Sequence, residues 1–143
     1  MDYYTKVIRQ RNRPDLNDPE SFQAFWYNLP DSSSMESLLH WATIFNSGKF
    51  LERDYGEQEN LKRYGQKEPP EVNLTKIQNI PIALLVGKYD GFMAIEDFRK
   101  LRDTVKHVFY KEYEGGHVSF ILGKDTVETY TKDIIKLLKE YSN

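Results

Sequence analysis

The apolar positions in the second half of the chain alternate between two periods. Residues 82–87 form a short apolar run, typical of a strand buried on both faces, and residues 107–113 are rich in β-forming side chains. Apolar residues recur at helical spacing in segments 95–105 and 127–141. The order strand, helix, strand, helix predicts two parallel strands joined by a right-handed crossover, and hence an α/β fold. Because two strands cannot fill a sheet that is covered on both faces, we expect an incomplete sheet.

The first half of the chain has a weaker pattern. Turn-forming Asn, Asp and Pro residues interrupt residues 1–34, which we expect to be loop-rich. A Ser-x-x-Glu capping-box pattern at 33–36 precedes apolar positions at helical spacing, and it predicts a helix that ends at Gly48. Residues 49–71 are polar and interrupted by Gly and Pro, so we expect irregular structure there with one short helix near Asn60–Tyr64.

Composition narrows the classes of function. Leu, Ile, Val and Phe make up about a quarter of the 143 residues, which is enough for one compact core. The net charge of −2 argues against nucleic acid or an anionic membrane as the main partner. The absence of cysteine excludes a disulfide scaffold, a thiolate zinc site and a cysteine nucleophile. No stretch approaches the roughly 18 apolar residues of a membrane-spanning helix, so we predict no transmembrane segment.

Two polar loops follow the predicted strands, and each carries a residue suited to acid–base chemistry. Asp90 lies in the loop 87–91 after the first strand, and His117 ends the loop 114–117 after the second. Neighbouring parallel strands bring such loops to one edge of a sheet, where α/β proteins bind ligands. An Asp that accepts from one imidazole nitrogen fixes the tautomer and leaves the other nitrogen as a general base. The alternative is that both are ordinary loop residues, as an Asp in a turn or a single His usually is.

A series of short motifs, spread over most of the chain from residue 29 onward, carries a family resemblance. The motifs are Leu29–Ser34, His40–Trp41, Ser47–Phe50, Asp54–Gly56, Asn60, Tyr64, Pro69–Pro70, Val72–Thr75, Ile80–Ala83, Gly87, Asp90, Tyr113, Gly116–His117, Phe120–Ile121, Gly123, Asp125, Tyr130 and Ile134–Ile135. In this order and spacing they resemble the C-terminal portion of the acid lipases, the gastric and lysosomal lipase family of α/β hydrolases.

The resemblance implies a fold, a division of the chain and roles for two residues. The fold would be the C-terminal part of an α/β-hydrolase fold, with parallel strands and flanking helices, preceded by the end of the cap region. Residues 1–64 would be a loop-rich, helical segment derived from the cap or lid, and residues 65–143 would be the C-terminal segment of the hydrolase core. Asp90 would be the catalytic acid and His117 the catalytic histidine.

The resemblance also implies a reaction and a cellular setting. The family hydrolyses carboxylic esters of lipids, either triacylglycerols or sterol esters, so a lipid ester is the expected partner, and no cofactor or metal is needed. The full-length protein is expected to be secreted or lysosomal, and Asn73-Leu74-Thr75 is a glycosylation sequon. The chain departs from the family pattern at Ser119, where the family commonly has Asp.

The family's nucleophile has no counterpart in this sequence. α/β-Hydrolases carry the serine within G-x-S-x-G, on a strained turn between a strand and a helix. The one pair of glycines four residues apart, Gly87 and Gly91, has Tyr89 at its centre. We therefore predict a C-terminal fragment of a lipid carboxylic-ester hydrolase that carries the acid and the base, lacks the serine and is inactive alone.

The alternative comes from a different class of function. The chain would then be a non-catalytic, lipase-derived protein that binds a partner or lipid through exposed apolar surface. An aromatic cluster in the first segment fits either a core or docking face or the entrance of an apolar ligand site. Its members are Phe22, Phe25, Trp26 and Tyr27.

Overall fold

The structure is a computed structural model that describes residues 13–28 and 32–142, apart from three side chains: those of Pro14, Phe22 and Trp26. The aromatic cluster is therefore described only in part, and the predicted motif residues Leu29–Asp31 lie outside the described residues. None of the described helices is long and apolar enough to cross a membrane.

Short helices alternate with two strands along the chain. The elements are α1 (Pro19–Tyr27), α2 (Met35–Ser47), α3 (Glu57–Tyr64), β1 (Ala83–Gly87), α4 (Ile95–Thr104), β2 (Phe109–Tyr113), α5 (Ser119–Leu122) and α6 (Lys132–Tyr141). Single 3₁₀ turns lie at Pro14–Leu16 and Leu74–Lys76, and a π-helical turn at Val127–Thr131 leads directly into α6.

The chain divides into two compact units. One consists of Met1–Leu29 together with Thr75–Asn143, and the other of Pro30–Leu74, each insofar as its residues are described. The predicted boundary between residues 64 and 65 falls inside the second unit. The origin of segments 1–64 and 65–143 in a cap and a core stays a prediction.

The first unit contains a parallel pair of strands, as the alternating pattern predicts. β1 and β2 pair in parallel from Ala83 opposite Phe109 to Gly87 opposite Tyr113. Helix α4 connects the two strands and packs on β1. Among the described residues this sheet has two strands. The coarse α/β architecture is therefore confirmed, and the two strands are consistent with an incomplete sheet.

The core of the first unit is formed by residues of both strands and of the segments that follow them. Its buried apolar side chains are Val86, Val105, Tyr113, Leu122 and Tyr130. The rings of Tyr113 and Tyr130 pack edge to face with their centroids 4.7 Å apart, and the ring centroids of Phe120 and Tyr130 are 4.4 Å apart. Burial and the hydrogen bond from Tyr113 to Asp133 raise the pKa of the Tyr113 phenol. This aromatic packing supports the loop that follows β2.

The prediction that the first segment is loop-rich is wrong for residues 19–27, which form α1. The local signals for a helix start are present, because Asp18 Oδ2 accepts the amide of Ser21 at 2.8 Å and Pro19 occupies the first helical position. In the sequence these residues resemble turn formers, since caps and turns favour the same residue types.

In the second unit, the sequence signal predicted for the start of α2 does not form in the structure, whereas the signal predicted for its end does. The capping box predicted at 33–36 does not form, because Ser34 is the N-cap without a side-chain bond and Glu36 pairs with Arg53 instead. The C-terminus follows the prediction, since Gly48 takes the left-handed conformation with φ 65°. No residue of α2 is fully buried.

Candidate active site

The loops after β1 and β2 continue the pairing of the strands. Lys88 N–H donates to the carbonyl of Tyr113, and Tyr89 N–H donates to the carbonyl of Gly115, each at 2.9 Å. A side chain at Gly87 would place its Cβ 2.6 Å from the Gly115 carbonyl oxygen, so the two loops approach this closely because Gly87 has none. The residues that follow are therefore held at one edge of the sheet.

Asp90 and His117 meet at that edge, where the sequence places them. His117 Nδ1 lies 2.9 Å from Asp90 Oδ2. The other carboxylate oxygen, Oδ1, accepts the backbone amides of Phe92 at 2.8 Å and Met93 at 3.1 Å. Because Asp90 is only 9% exposed and is fixed by two amides, its free oxygen has one orientation, toward the imidazole.

The imidazole of His117 is open on its other side. Its side chain is 48% exposed, and no described residue forms a hydrogen bond with Nε2. The ring of Phe92 packs against it with centroids 4.8 Å apart. When Nδ1–H donates to Asp90, Nε2 carries the lone pair and faces outward, which is the arrangement of a general base.

The charged residues around the pair are engaged with one another. Glu114 forms an ion pair with Lys88 and also interacts with Tyr89. The hydrogen bond from Lys88 holds the pKa of the Glu114 carboxyl below its ordinary value. Arg13 lies over the ring of Tyr89 at 5.2 Å. These contacts leave Asp90 as the carboxylate that faces His117.

Among the residues that the structure describes, no carboxylate forms a hydrogen bond with either of the other two histidines. His40 Nε2 lies 2.9 Å from the carbonyl oxygen of Leu51, and His107 Nδ1 lies 3.1 Å from that of Val105. Among the described residues, no group of three His, Asp or Glu side chains could hold a metal ion. The geometry thus distinguishes His117 from the other two histidines.

Sequence reasoning missed two contributors to this site. The ring of Phe92 forms one wall beside the imidazole, although no motif in the sequence assigns Phe92 to the site. Asn17 belongs to the turn-forming residues of segment 1–34, yet its side chain accepts a hydrogen bond from Ser119 at 2.8 Å. No local pattern signals a contact between residues so distant in sequence, although burial of a polar side chain is a structural sign of one.

Comparison with known proteins shows that the chain is related to a family of lipases. No family model matches it. Human lipase member K is 31% identical over 115 residues, which are 78% of this chain and 29% of that protein. Human gastric triacylglycerol lipase is 31% identical over 114 residues, 78% of this chain and 28% of that protein. Human lipase member N is 27% identical over 134 residues, 92% of this chain and 33% of that protein. The chain is related to the acid lipases.

This relationship confirms the resemblance carried by the sequence motifs. It also agrees with the parallel strands and flanking helices of the first unit, since lipases of this family are α/β hydrolases. The acid-lipase-related chain spans 28% to 33% of the length of these three relatives.

Proposed function

We propose that this chain supplies the acid and the base of a lipid carboxylic-ester hydrolase. In this proposal it corresponds to the C-terminal part of an α/β-hydrolase fold preceded by the end of the cap, and Asp90 and His117 are its catalytic residues. The observation that carries the proposal is the 2.9 Å contact between His117 Nδ1 and Asp90 Oδ2 at the carboxyl edge of the strands.

The proposed reaction uses a serine from outside this chain. His117 Nε2 takes the hydroxyl proton as the serine oxygen attacks the ester carbonyl carbon. The proton then passes to the departing alcohol when the ester C–O bond breaks, leaving an acyl-serine. Water, deprotonated by the same nitrogen, hydrolyses the acyl-serine and restores the serine hydroxyl. Asp90 keeps Nδ1 protonated and stabilises the imidazolium at each step.

The proposed substrate is the ester of a lipid, either a triacylglycerol or a sterol ester. Two observations support this class. Gastric triacylglycerol lipase is among the relatives. The phenyl ring beside the imidazole is 62% exposed, so an apolar group can lie against Phe92 while its ester reaches Nε2.

The isolated chain should be inactive. Its sequence has no G-x-S-x-G, and Ser119 Oγ is buried and bonded to Gly116 and Asn17 rather than to His117. Loss of a nucleophile and its oxyanion hole lowers turnover by roughly 10⁴–10⁶. The pure chain should therefore not hydrolyse p-nitrophenyl butyrate above the buffer rate. Turnover that disappears in His117→Ala would contradict the need for a serine from elsewhere.

A chimera tests the proposed roles directly. The 114 residues of human gastric triacylglycerol lipase that match this chain would be replaced by the corresponding part of this chain. We expect hydrolysis of tributyrin, and a loss of about 10⁴ or more in kcat for His117→Ala. A chimera that unfolds cooperatively yet hydrolyses no ester, or that keeps its activity in His117→Ala, would contradict the proposal.

The non-catalytic alternative is favoured by one feature of the second unit. Helix α2 exposes half or more of several large apolar side chains, Leu38, Leu39, Trp41 and Phe45, and the rings of the last two stack at 5.4 Å. Such a surface binds lipid or a partner. Co-sedimentation with phosphatidylcholine vesicles that is lost in Leu38→Ser/Trp41→Ser, together with an inactive chimera, would favour this second candidate.

A further inference from the structure

A buried polar network lies directly behind the loop that carries His117. Ser119 is 1% exposed and Asn17 is 8% exposed. The Gly116 amide donates to Ser119 Oγ at 2.9 Å, and Ser119 Oγ donates to Asn17 Oδ1 at 2.8 Å. The amide of Ser119 donates back to the Gly116 carbonyl at 3.2 Å. The two residues that flank His117 and Val118 are thus joined twice.

Asn17 determines the direction in which the Ser119 hydroxyl donates its proton. A serine hydroxyl has one proton and two lone pairs. Because the carbonyl oxygen Oδ1 can only accept, the hydroxyl proton points toward Asn17 and a lone pair remains for the Gly116 amide. Without this acceptor, nothing holds the proton away from Gly116. The turn around His117 would then lose one of its two closing bonds.

The backbone of the Asn17 segment is also tied to the far end of this loop. Asn17 pairs with Gly123 in an isolated antiparallel bridge, Asp18 N–H donates to the Leu122 carbonyl, and Lys124 N–H donates to the Leu16 carbonyl. The side chain of Asn17 is therefore held at a fixed distance from Ser119. Two backbone hydrogen bonds, which form this bridge, and one side-chain bond join a segment about a hundred residues away to the histidine loop.

We infer that Asn17 and Ser119 are positioning residues that hold the His117 imidazole in register with Asp90. Neither touches the reacting atoms, and both act through the Gly116–Ser119 turn. This inference rests on the proposed role of His117 as the base. It adds to that role a device built from the N-terminal part of the chain, which the Asp–His pair alone does not include.

The test measures the tautomer and the proton exchange of the His117 imidazole. Long-range ¹H–¹⁵N spectra of the labelled chain at about pH 8.5, where a free imidazole is neutral, report which ring nitrogen of His117 is protonated and how fast Nδ1–H exchanges with water. His117→Ala identifies the signals. We expect Ser119→Ala to accelerate exchange of Nδ1–H at least tenfold and to introduce the Nε2–H tautomer. Asn17→Leu should act in the same direction, and Ser119→Thr, which keeps the hydroxyl, should restore slow exchange.

Tyr113→Phe is the matched control. It removes one bond of the same unit, that from Tyr113 to Asp133, and keeps the aromatic packing, so it should lower the melting temperature without changing the His117 signals. Exchange within twofold of the wild type in both Ser119→Ala and Asn17→Leu would overturn the inference. So would a change no larger than that in Tyr113→Phe, or loss of cooperative unfolding in both variants, which would show that the network holds the fold. Because these spectra read geometry in the isolated chain, their failure is distinct from failure of the chimera to hydrolyse esters.

Discussion

Each unit contains a buried polar side chain, Asn60 or Asp90, that is held by several hydrogen bonds. The two differ in the exposure of their last hydrogen-bond partner. In the second unit, Asn60 is 1% exposed. It accepts the amide of Tyr55 and donates to Asp54 Oδ1 and to the Lys67 carbonyl at 2.7–2.9 Å. In the first unit, Asp90 is almost as buried and accepts two backbone amides, but its third partner is the half-exposed imidazole of His117.

The difference separates a structural network from a chemical one. All the polar atoms of the Asn60 side chain bond to groups in the segments just before and just after α3, so the network has no free polar atom and fixes both ends of this helix. The Asp90 network instead fixes the orientation of the His117 ring, and the other ring nitrogen, Nε2, stays exposed. Burial and backbone bonds on one side, with an unsatisfied reactive atom on the other, are the features expected of a site that acts on a ligand.

The largest expected effect is on catalysis. In the chimera, Asp90→Asn should lower kcat by about 10⁴, because an amide at this position no longer imposes the tautomer in which Nε2 accepts the proton. The measurement is initial-rate hydrolysis of tributyrin. Asn60→Asp is the matched change in the closed network, and it should leave kcat per folded molecule unchanged. Equal losses in the two variants would mean that Asp90 has only a structural role.

The close approach of the two loops gives the next largest effect. Gly87→Ala should lower the free energy of unfolding by about 3 kcal/mol, because the new Cβ would lie 2.6 Å from the Gly115 carbonyl oxygen. Gly48→Ala meets no atom within 4 Å, and its cost, about 1 kcal/mol, comes from the left-handed backbone. Urea unfolding followed by circular dichroism measures both. A Gly48→Ala cost as large as that of Gly87→Ala would show that the loops can move apart.

The same comparison predicts that Asn60 matters more for the free energy of unfolding, whereas His117 matters more for catalysis. Asn60→Leu should lower the unfolding free energy by about 2 kcal/mol, because it leaves the partners of Asn60 unsatisfied. His117→Ala should change it by less than about 1 kcal/mol, since the imidazole is half exposed. Urea unfolding of the isolated chain decides the order. A larger loss in His117→Ala would indicate that the histidine is there to hold the fold.

The smallest expected effect is the contribution of a surface ion pair, Arg99 with Glu112, to the free energy of unfolding. Hydrogen bonds from Arg99, and next from Tyr110, lower the pKa of Glu112 to about 2. A carboxyl with a depressed pKa stabilises the fold above its unfolded pKa, and that stability is lost as the pH falls from about 4.5 toward 2. Because Arg99 is about half exposed, the contribution should be about 1 kcal/mol. Thermal unfolding at pH 6 and pH 2.5 should show this extra loss in the wild type and not in Glu112→Gln.

Much of the first unit could be predicted from the sequence, because its signals are local. The periods of the apolar residues define β1, α4 and β2, and parallel pairing follows from their order. Adjacent strand ends then bring Asp90 and His117 together without further information. The end of α2 was equally predictable, since Gly48 can take the left-handed conformation that a helix terminus requires.

The rest depends on contacts that local patterns do not encode. The helix at 19–27 begins with Asp18 and Pro19, which favour turns as much as helix starts. The bond between Asn17 and Ser119 joins residues 102 positions apart. Glu36 is in the right place for a capping box, yet it pairs with Arg53 from a later loop. In the last two cases a tertiary partner selects one of the conformations that the local sequence allows.

The central claim is that Asp90 holds His117 with Nδ1 protonated and Nε2 free to accept a proton. The most direct measurement is the ¹⁵N spectrum of the histidine rings in the isolated chain at about pH 8.5, compared with Asp90→Asn. We predict a protonated Nδ1 and an unprotonated Nε2 for His117 in the wild type, and loss of this preference in Asp90→Asn. A His117 ring that is protonated on Nε2, or that shows the same tautomer mixture with and without the Asp90 carboxylate, would contradict the account.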